Sequence, residues 1–252
     1  MNPTPRAVVA LVATASSFLM TPRPACGEDL WFVFQKVPQR EAPGTVVGGY
    51  ALSYGRRATP PLAPDGVEHD WFAGFQVLER LQARLNAALV THERLSGQAW
   101  RVGGEVRALL LERERSGVDL AVTAGYLREV QNAHLITGSV QVAGAAGPVE
   151  LAGTIAMEKA FAAGRDAVDV IVTSGASYAV ARFASIGVEY QGQDLEDLWE
   201  REEAEGGARH LLGPSATFRF LSGRVSTGAG LGFGLTRNSP DVVVRTMFMV
   251  TF

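Results

Sequence analysis

The sequence predicts an all-β protein, an antiparallel transmembrane β-barrel of about 12 strands. Three observations carry this. From about residue 45 onward, apolar and polar residues alternate with a period of two, over segments of roughly 10 residues. The connections between those segments alternate between short and longer or more polar. Although 47% of the 252 residues are hydrophobic, no uninterrupted apolar run reaches the roughly 18 residues of a spanning helix. Any membrane crossing must therefore use strands.

The clearest alternation lies at 223–236. Val225, Ala229, Leu231, Phe233 and Leu235 share one face, while Ser226, Gly228, Gly230, Gly232 and Gly234 share the other. A helix would scatter these residues, whereas a strand separates them. Such a small-residue face is a poor water-soluble core but suits a lumen. Trp100, Val102, Val106, Ala108 and Leu110 likewise oppose Arg101, Gly103, Glu105 and Arg107. Strands are expected near 45–54, 70–80, 83–93, 99–111, 117–127, 135–143, 148–158, 167–179, 183–191, 209–221, 224–236 and 241–252. Counts of 10 or 14 are the alternatives.

The connections separate this reading from a soluble sandwich, which alternates in the same way. Those near 81–82, 112–116, 144–147, 180–182 and 222–223 are short. Those at 55–69, 94–98, 128–134, 159–166, 192–208 and 237–240 are mostly longer or more polar. Short periplasmic turns and longer external loops produce this sorting when both termini lie in the periplasm. The 192–208 loop is then external.

Residues 1–25 read as a secretory signal peptide, with Arg6 before the apolar run from Ala7 to Met20. Cys26 raises the alternative of a lipid-anchored cysteine, to which Arg23-Pro24-Ala25 is a poor match. As the only cysteine, it forms no internal disulfide. Residues 26–44 are less regular. The run Leu30-Trp31-Phe32-Val33-Phe34 reads as an extra strand, a periplasmic stub or a segment tucked into the lumen, with a stub or partial plug preferred. The barrel then occupies 45–252.

The chain ends Val242-Val243-Val244-Arg245-Thr246-Met247-Phe248-Met249-Val250-Thr251-Phe252, with Val244, Phe248 and Val250 on the parity of Phe252. This resembles the C-terminal strand of Gram-negative outer-membrane β-barrel proteins; Thr246 departs from a fully apolar face. The resemblance covers about 45–252 at the level of the class. It implies an outer-membrane location, lipid and lipopolysaccharide around the barrel, and recognition of Phe248, Val250 and Phe252 by the barrel-assembly machinery.

Parity also turns Arg101, Glu105, Arg107, Asp119, Glu150, Glu158, Asp169, Glu189, Arg219 and Arg245 into the lumen. An isolated buried ion is very costly, so these charges must be hydrated or paired. They are either a constriction that selects small polar solutes or salt bridges stiffening a filled barrel. The leading function is thus a passive pore, ahead of a non-conducting structural or surface-interaction barrel and a rim-located hydrolase. His69, His92, His134 and His210 fall at the outer strand ends, where with Asp70 and Glu93 they could form a metal or hydrolytic site. No G-x-S-x-G or comparable motif supports this, so no catalytic or metal-binding residue is assigned. The 192–208 loop carries seven acidic residues against Arg201 and reads first as a solvated loop. A net charge of −3 and pI near 5.9 give nucleic acid no basic surface. Gly228-Ala229-Gly230 lies in a strand pattern and opens no helix, so no phosphate-binding cofactor is expected.

Overall fold

The computed structural model describes residues 32–34, 36, 41–57, 65–92, 98–129, 134–161, 168–193, 195 and 208–252. The expected signal peptide at 1–25, Cys26 and nearly all of the acidic loop lie outside these residues. Twelve strands form: β1 (Val46–Arg56), β2 (Gly66–Leu78), β3 (Leu81–His92), β4 (Gln98–Leu111), β5 (Asp119–Glu129), β6 (His134–Ala146), β7 (Val149–Phe161), β8 (Asp169–Ala181), β9 (Ala184–Gln193), β10 (Arg209–Phe220), β11 (Val225–Gly234) and β12 (Val242–Thr251). Each pairs antiparallel with its neighbours in sequence, and β1 pairs with β12 to close the barrel. Closure removes the unpaired edge that a membrane cannot solvate.

The strand count agrees with the alternation. The largest difference lies in β2, which begins at Gly66 rather than near 70. Its leading residues are Val67, Glu68, His69 and Asp70, whose polarity resembles a loop. The register to β3 nevertheless runs unbroken from Gly66↔His92 to Gln76↔Gln82. At the other end of the barrel, which holds the C-terminus, the turns are tight. Residues 79–80, 147–148 and 182–183 each join two strands. The turn from β4 to β5 contains a single helical turn, α1 (Arg113–Ser116). Bulges at Gln76/Leu78, Leu109/Leu111 and Ala179/Ala181 all lie at this turn end, where the wall bends into its connections.

The outer wall is apolar. Leu85, Val106, Val140, Leu151, Ile155, Ile186 and Val188 are all about half exposed or more. A band of this kind is far more apolar than a soluble protein leaves in water, and it fits hydrocarbon. Phe75, Tyr178, Phe183, Phe218, Phe220, Phe248 and Phe252 lie toward the turn end of this wall. Trp100, Tyr126, Phe161, Tyr190 and Phe233 lie toward the loop end. Two aromatic belts flanking an apolar band are the expected arrangement where a barrel meets both membrane interfaces.

Candidate functional site

The inner wall holds the chemistry, because alternation turns one residue in two away from lipid. Inward positions include Gln76, Gln82, Gln141, Thr123, Thr154, Thr217 and Ser226, all buried. The same face of β4, β5 and β7–β10 carries nine of the ten charges singled out in the sequence, and Arg245 lies on the inward face of β12. Strand position spreads them along the barrel axis. Asp119 and Glu150 stand near the turn end, Glu105 and Glu189 near mid-height, and Glu158 and Asp169 near the loop end. They do not converge on one ring.

The inward charges are instead sorted by sector. Strands β5 to β9 carry Asp119, Glu129, Glu150, Glu158, Asp169 and Glu189 and no inward base. The remaining strands carry every inward arginine: Arg84, Arg101, Arg107, Arg209, Arg219 and Arg245, together with Glu68, Asp70 and Glu105. Glu158 stands directly opposite Asp169 across the β7–β8 ladder, which concentrates negative charge on that side.

The charges of the basic sector are tied to one another. Arg101 pairs with Glu68, and Arg107 stands 4.0 Å from Glu105. The guanidinium of Arg84 lies 3.8 Å above the Phe72 ring, a cation–π stack. That ring lies against Gly49 so closely that an added Cβ would fall 2.1 Å from it.

In the acidic sector the counter-charge comes from a turn. Arg113 of α1 donates to both carboxylate oxygens of Glu150 at 2.5 and 2.9 Å. Its Nε lies 2.9 Å from Asp119, and its backbone N–H donates to the same carboxylate at 2.8 Å. Burial works against the charge on Arg113. The hydrogen bonds and charges of Glu150 and Asp119 outweigh it, and the guanidinium titrates above its ordinary value. Arg80 similarly donates to buried Glu112 at 2.8 Å.

The sequence reading missed several of these groups. Glu68 lies before the strand expected at 70–80, and Asp70, at its first position, is grouped by sequence with the rim histidines. Arg84 shares parity with Gln82, Asn86 and Ala88 and was detectable as an inward residue. Arg113 carries no signal, since its partners lie 6 and 37 residues away.

The rim site suggested by the histidines does not form among the described residues. His69, His134 and His210 sit on the outward face of three separate hairpins. Each Nδ1 is hydrogen-bonded to a tyrosine hydroxyl: Tyr50 to His69 at 2.7 Å, Tyr126 to His134, and Tyr190 to His210 at 2.7 Å. Asp70, next to His69 in sequence, faces the opposite side of the wall. Period-two alternation separates the very neighbours that a compact site would need together. No group of three metal-ligating side chains occurs among the described residues. The side chain of His92, Glu93 and the acidic residues of the long loop lie outside them. An almost wholly apolar concavity of about 870 Å³, lined by residues including Tyr178, Ile186, Val188, Pro214 and Leu231, opens on the outer wall. Its place is in the lipid-facing band.

A chain segment lies within the lumen. The backbone N–H groups of Val33 and Phe34 donate to the two carboxylate oxygens of Glu189, at 2.8 and 2.7 Å. Lys36 donates to Glu105 at 2.7 Å, and Thr154 donates to the Lys36 carbonyl at 3.0 Å.

No protein-family model matches the sequence, and no curated protein matches it. Its fold has solved counterparts. A structure described as the KdgM porin superposes with a TM-score of 0.56 at 9% identity, covering 82% of this chain and 99% of that one. An outer-membrane channel from Pseudomonas putida F1 gives 0.55 at 11% identity, covering 87% and 98%. The NanC porin gives 0.52 at 9%, covering 83% and 98%. At these identities the likeness is one of fold: the chain is a closed, antiparallel 12-strand transmembrane β-barrel, the architecture these porins and this channel share.

Proposed function

We propose that this chain is an outer-membrane channel for small polar solutes and performs no catalysis. The observation that carries the reading is the sorting of the described strands' inward charge into an acidic sector, β5 to β9, facing strands that hold all the inward strand arginines, with Arg113 of the α1 turn bound at one end of the acidic side. Opposed sectors set up a field across the lumen, and low-dielectric walls focus it. A dipolar or charged solute entering such a space is oriented by both walls, whereas an apolar one gains nothing there. The fold neighbours named as porins and as a channel support the same reading. Lipid and lipopolysaccharide would surround the apolar band, and no nucleic acid or cofactor is involved.

The test is single-channel recording with the purified, folded protein in planar bilayers. Discrete ohmic steps and a non-zero reversal potential in a salt gradient are expected. A protein that folds but never conducts would instead support the second reading, a non-conducting structural or surface-interaction barrel. That alternative draws on the chain segment lodged between Glu105 and Glu189.

For assembly, we propose that Phe248, Val250 and Phe252 are read by the barrel-assembly machinery. Phe248 pairs with Tyr50 and Val250 with Gly48 at the β1–β12 seam, while Phe252 projects outward and is 80% exposed. Deleting Phe252 should lower the amount of heat-modifiable barrel in outer-membrane fractions several-fold while export across the inner membrane continues. Undiminished assembly would count against this role.

A further inference from the structure

The lumenal segment contacts opposite walls of the barrel. Phe34 packs against Leu211 of β10 and Val243 of β12, while Lys36 pairs with Glu105 of β4. In the closed ring of twelve, β4 and β10 are six strands apart in either direction. Phe34 and Lys36 therefore reach opposite sides of the lumen. Phe32 is 1% exposed and clusters with Ala143, Ala152 and Ala179, on β6, β7 and β8. Phe32, Val33, Phe34 and Lys36 thus touch β4 and β6 to β12.

The wall is shaped to receive them. Glu189 is buried, and one carboxylate accepts two consecutive backbone N–H groups. A charged acceptor makes such bonds stronger than neutral ones, and backbone N–H groups are common to almost any peptide. Thr154 reads a backbone carbonyl. Gly230 leaves room for an aromatic ring, since a Cβ there would fall 2.5 Å from the Phe34 ring. Three small alanines surround the Phe32 ring, and Glu105 takes the ammonium of Lys36. Gly230 of the β11 glycine face thereby acquires a role that curvature alone does not explain.

We propose that these groups form a peptide-binding site in the lumen, specific for a bent segment with aromatic residues at alternate positions followed by a cation, and that Phe32, Val33, Phe34 and Lys36 occupy it to hold the channel closed. The site itself stands on the contacts above; the closing role rests on the pore reading. A tether held by a few charge-assisted bonds and two ring pockets is displaceable without unfolding the wall, because none of its hydrogen bonds belongs to the strand ladder.

The experiment uses the full chain carrying Phe32→Ser, Phe34→Ser and Lys36→Ser, with heat-modifiable migration confirming assembly. A synthetic peptide of residues 31–37 should bind this variant saturably, as followed by fluorescence anisotropy. It should bind at least about tenfold more weakly once Glu189→Gln is added, because a charged acceptor is lost. In bilayers the variant should conduct more often than the unsubstituted chain, and the peptide should silence it. Full-chain Glu189→Gln alone provides a second, isosteric route and should also raise open probability. Absence of peptide binding, or binding indifferent to Glu189→Gln, overturns the site. Saturable binding with no conductance in any variant overturns the pore reading and leaves the site standing. Conductance in the variant equal to that of the unsubstituted chain, without effect of peptide, overturns the closing role. A disulfide between Phe34→Cys and Gly230→Cys, in a Cys26→Ser background, should form in the folded protein; its failure to form under oxidation would contradict the seating of Phe34.

Discussion

The two sectors of the inner wall solve the same problem by different means. Between β10 and β4, passing through β1, arginines and carboxylates come from strands and neutralise one another locally, as in Arg101 with Glu68. From β5 to β9 the strands supply carboxylates alone, and the counter-charge arrives from outside them: Arg113 from the α1 turn onto Glu150 and Asp119, and backbone N–H groups from residues 33 and 34 onto Glu189. A barrel strand tolerates inward charge only where something meets it, and in this sector that something is separable from the wall. The basic sector therefore draws most of its compensation from its own strands, with Lys36 of the lumenal segment added at Glu105, while the acidic sector depends chiefly on elements outside its strands.

Removing Arg113 should show this most strongly. Arg113→Ala leaves the carboxylate of Glu150, only 5% exposed on its side chain, without its bidentate partner, and stranding a buried charge costs about 3 kcal/mol or more. The temperature at which the folded barrel loses its faster gel migration should fall by many degrees. Arg84→Met, in the basic sector, should lower it less, since a cation–π contact at Phe72 contributes about 1–2 kcal/mol. Equal losses would erase the distinction between the sectors.

Selectivity should respond next. Neutralising the acidic side with Glu158→Gln and Asp169→Asn should shift the cation-to-anion permeability ratio toward anions by roughly twofold, a change of under one kT in the lumenal potential. Arg245→Met should move the reversal potential the opposite way. Shifts of the same sign would mean that the two sectors do not act on permeating ions as opposed walls.

The smallest effect is expected on the outside. Tyr190→Phe removes the hydrogen bond to His210 but keeps the stacked rings, whose centroids lie 6.0 Å apart, and should destabilise by about 0.5–1.5 kcal/mol. Tyr50→Phe and Tyr126→Phe should cost similar amounts, because the three pairs repeat one diagonal arrangement across their hairpins. Chemical denaturation of the folded barrel measures all three. A loss confined to one hairpin would mean that the repeated geometry carries unequal energies.

The lumenal segment shows how far reading along the chain can go. Its run of Leu30, Trp31, Phe32, Val33 and Phe34 stands out as apolar, but no periodicity reveals whether it adds a strand or enters the barrel. The histidines show the converse failure: His69 and Asp70 are neighbours in sequence, and the wall of β2 places them on opposite sides. Had β2 been read from Gly66, parity alone would have separated them. Arg113 and its carboxylates meet only because β5, β7 and the α1 turn converge at one end of the barrel.

What the sequence determined by itself was a barrel of about 12 strands and the face each residue takes within the strands it marks. Both follow from a local rule: successive side chains on a strand point to opposite sides, and a lipid-facing wall admits only apolar residues on one of them. β11 shows it plainly, with Ala229, Leu231 and Phe233 outward and Gly228, Gly230 and Gly232 inward. The tertiary structure decided which inward groups meet. Closing β1 onto β12 fixes what lies across the lumen from what, and the folded ring brings Lys36 to Glu105 and Phe34 to Gly230, while neighbouring strands and the α1 turn bring Arg113 to Glu150. The cross-lumen distances depend on the curvature and closure of the entire ring, and a two-residue period carries no information about either.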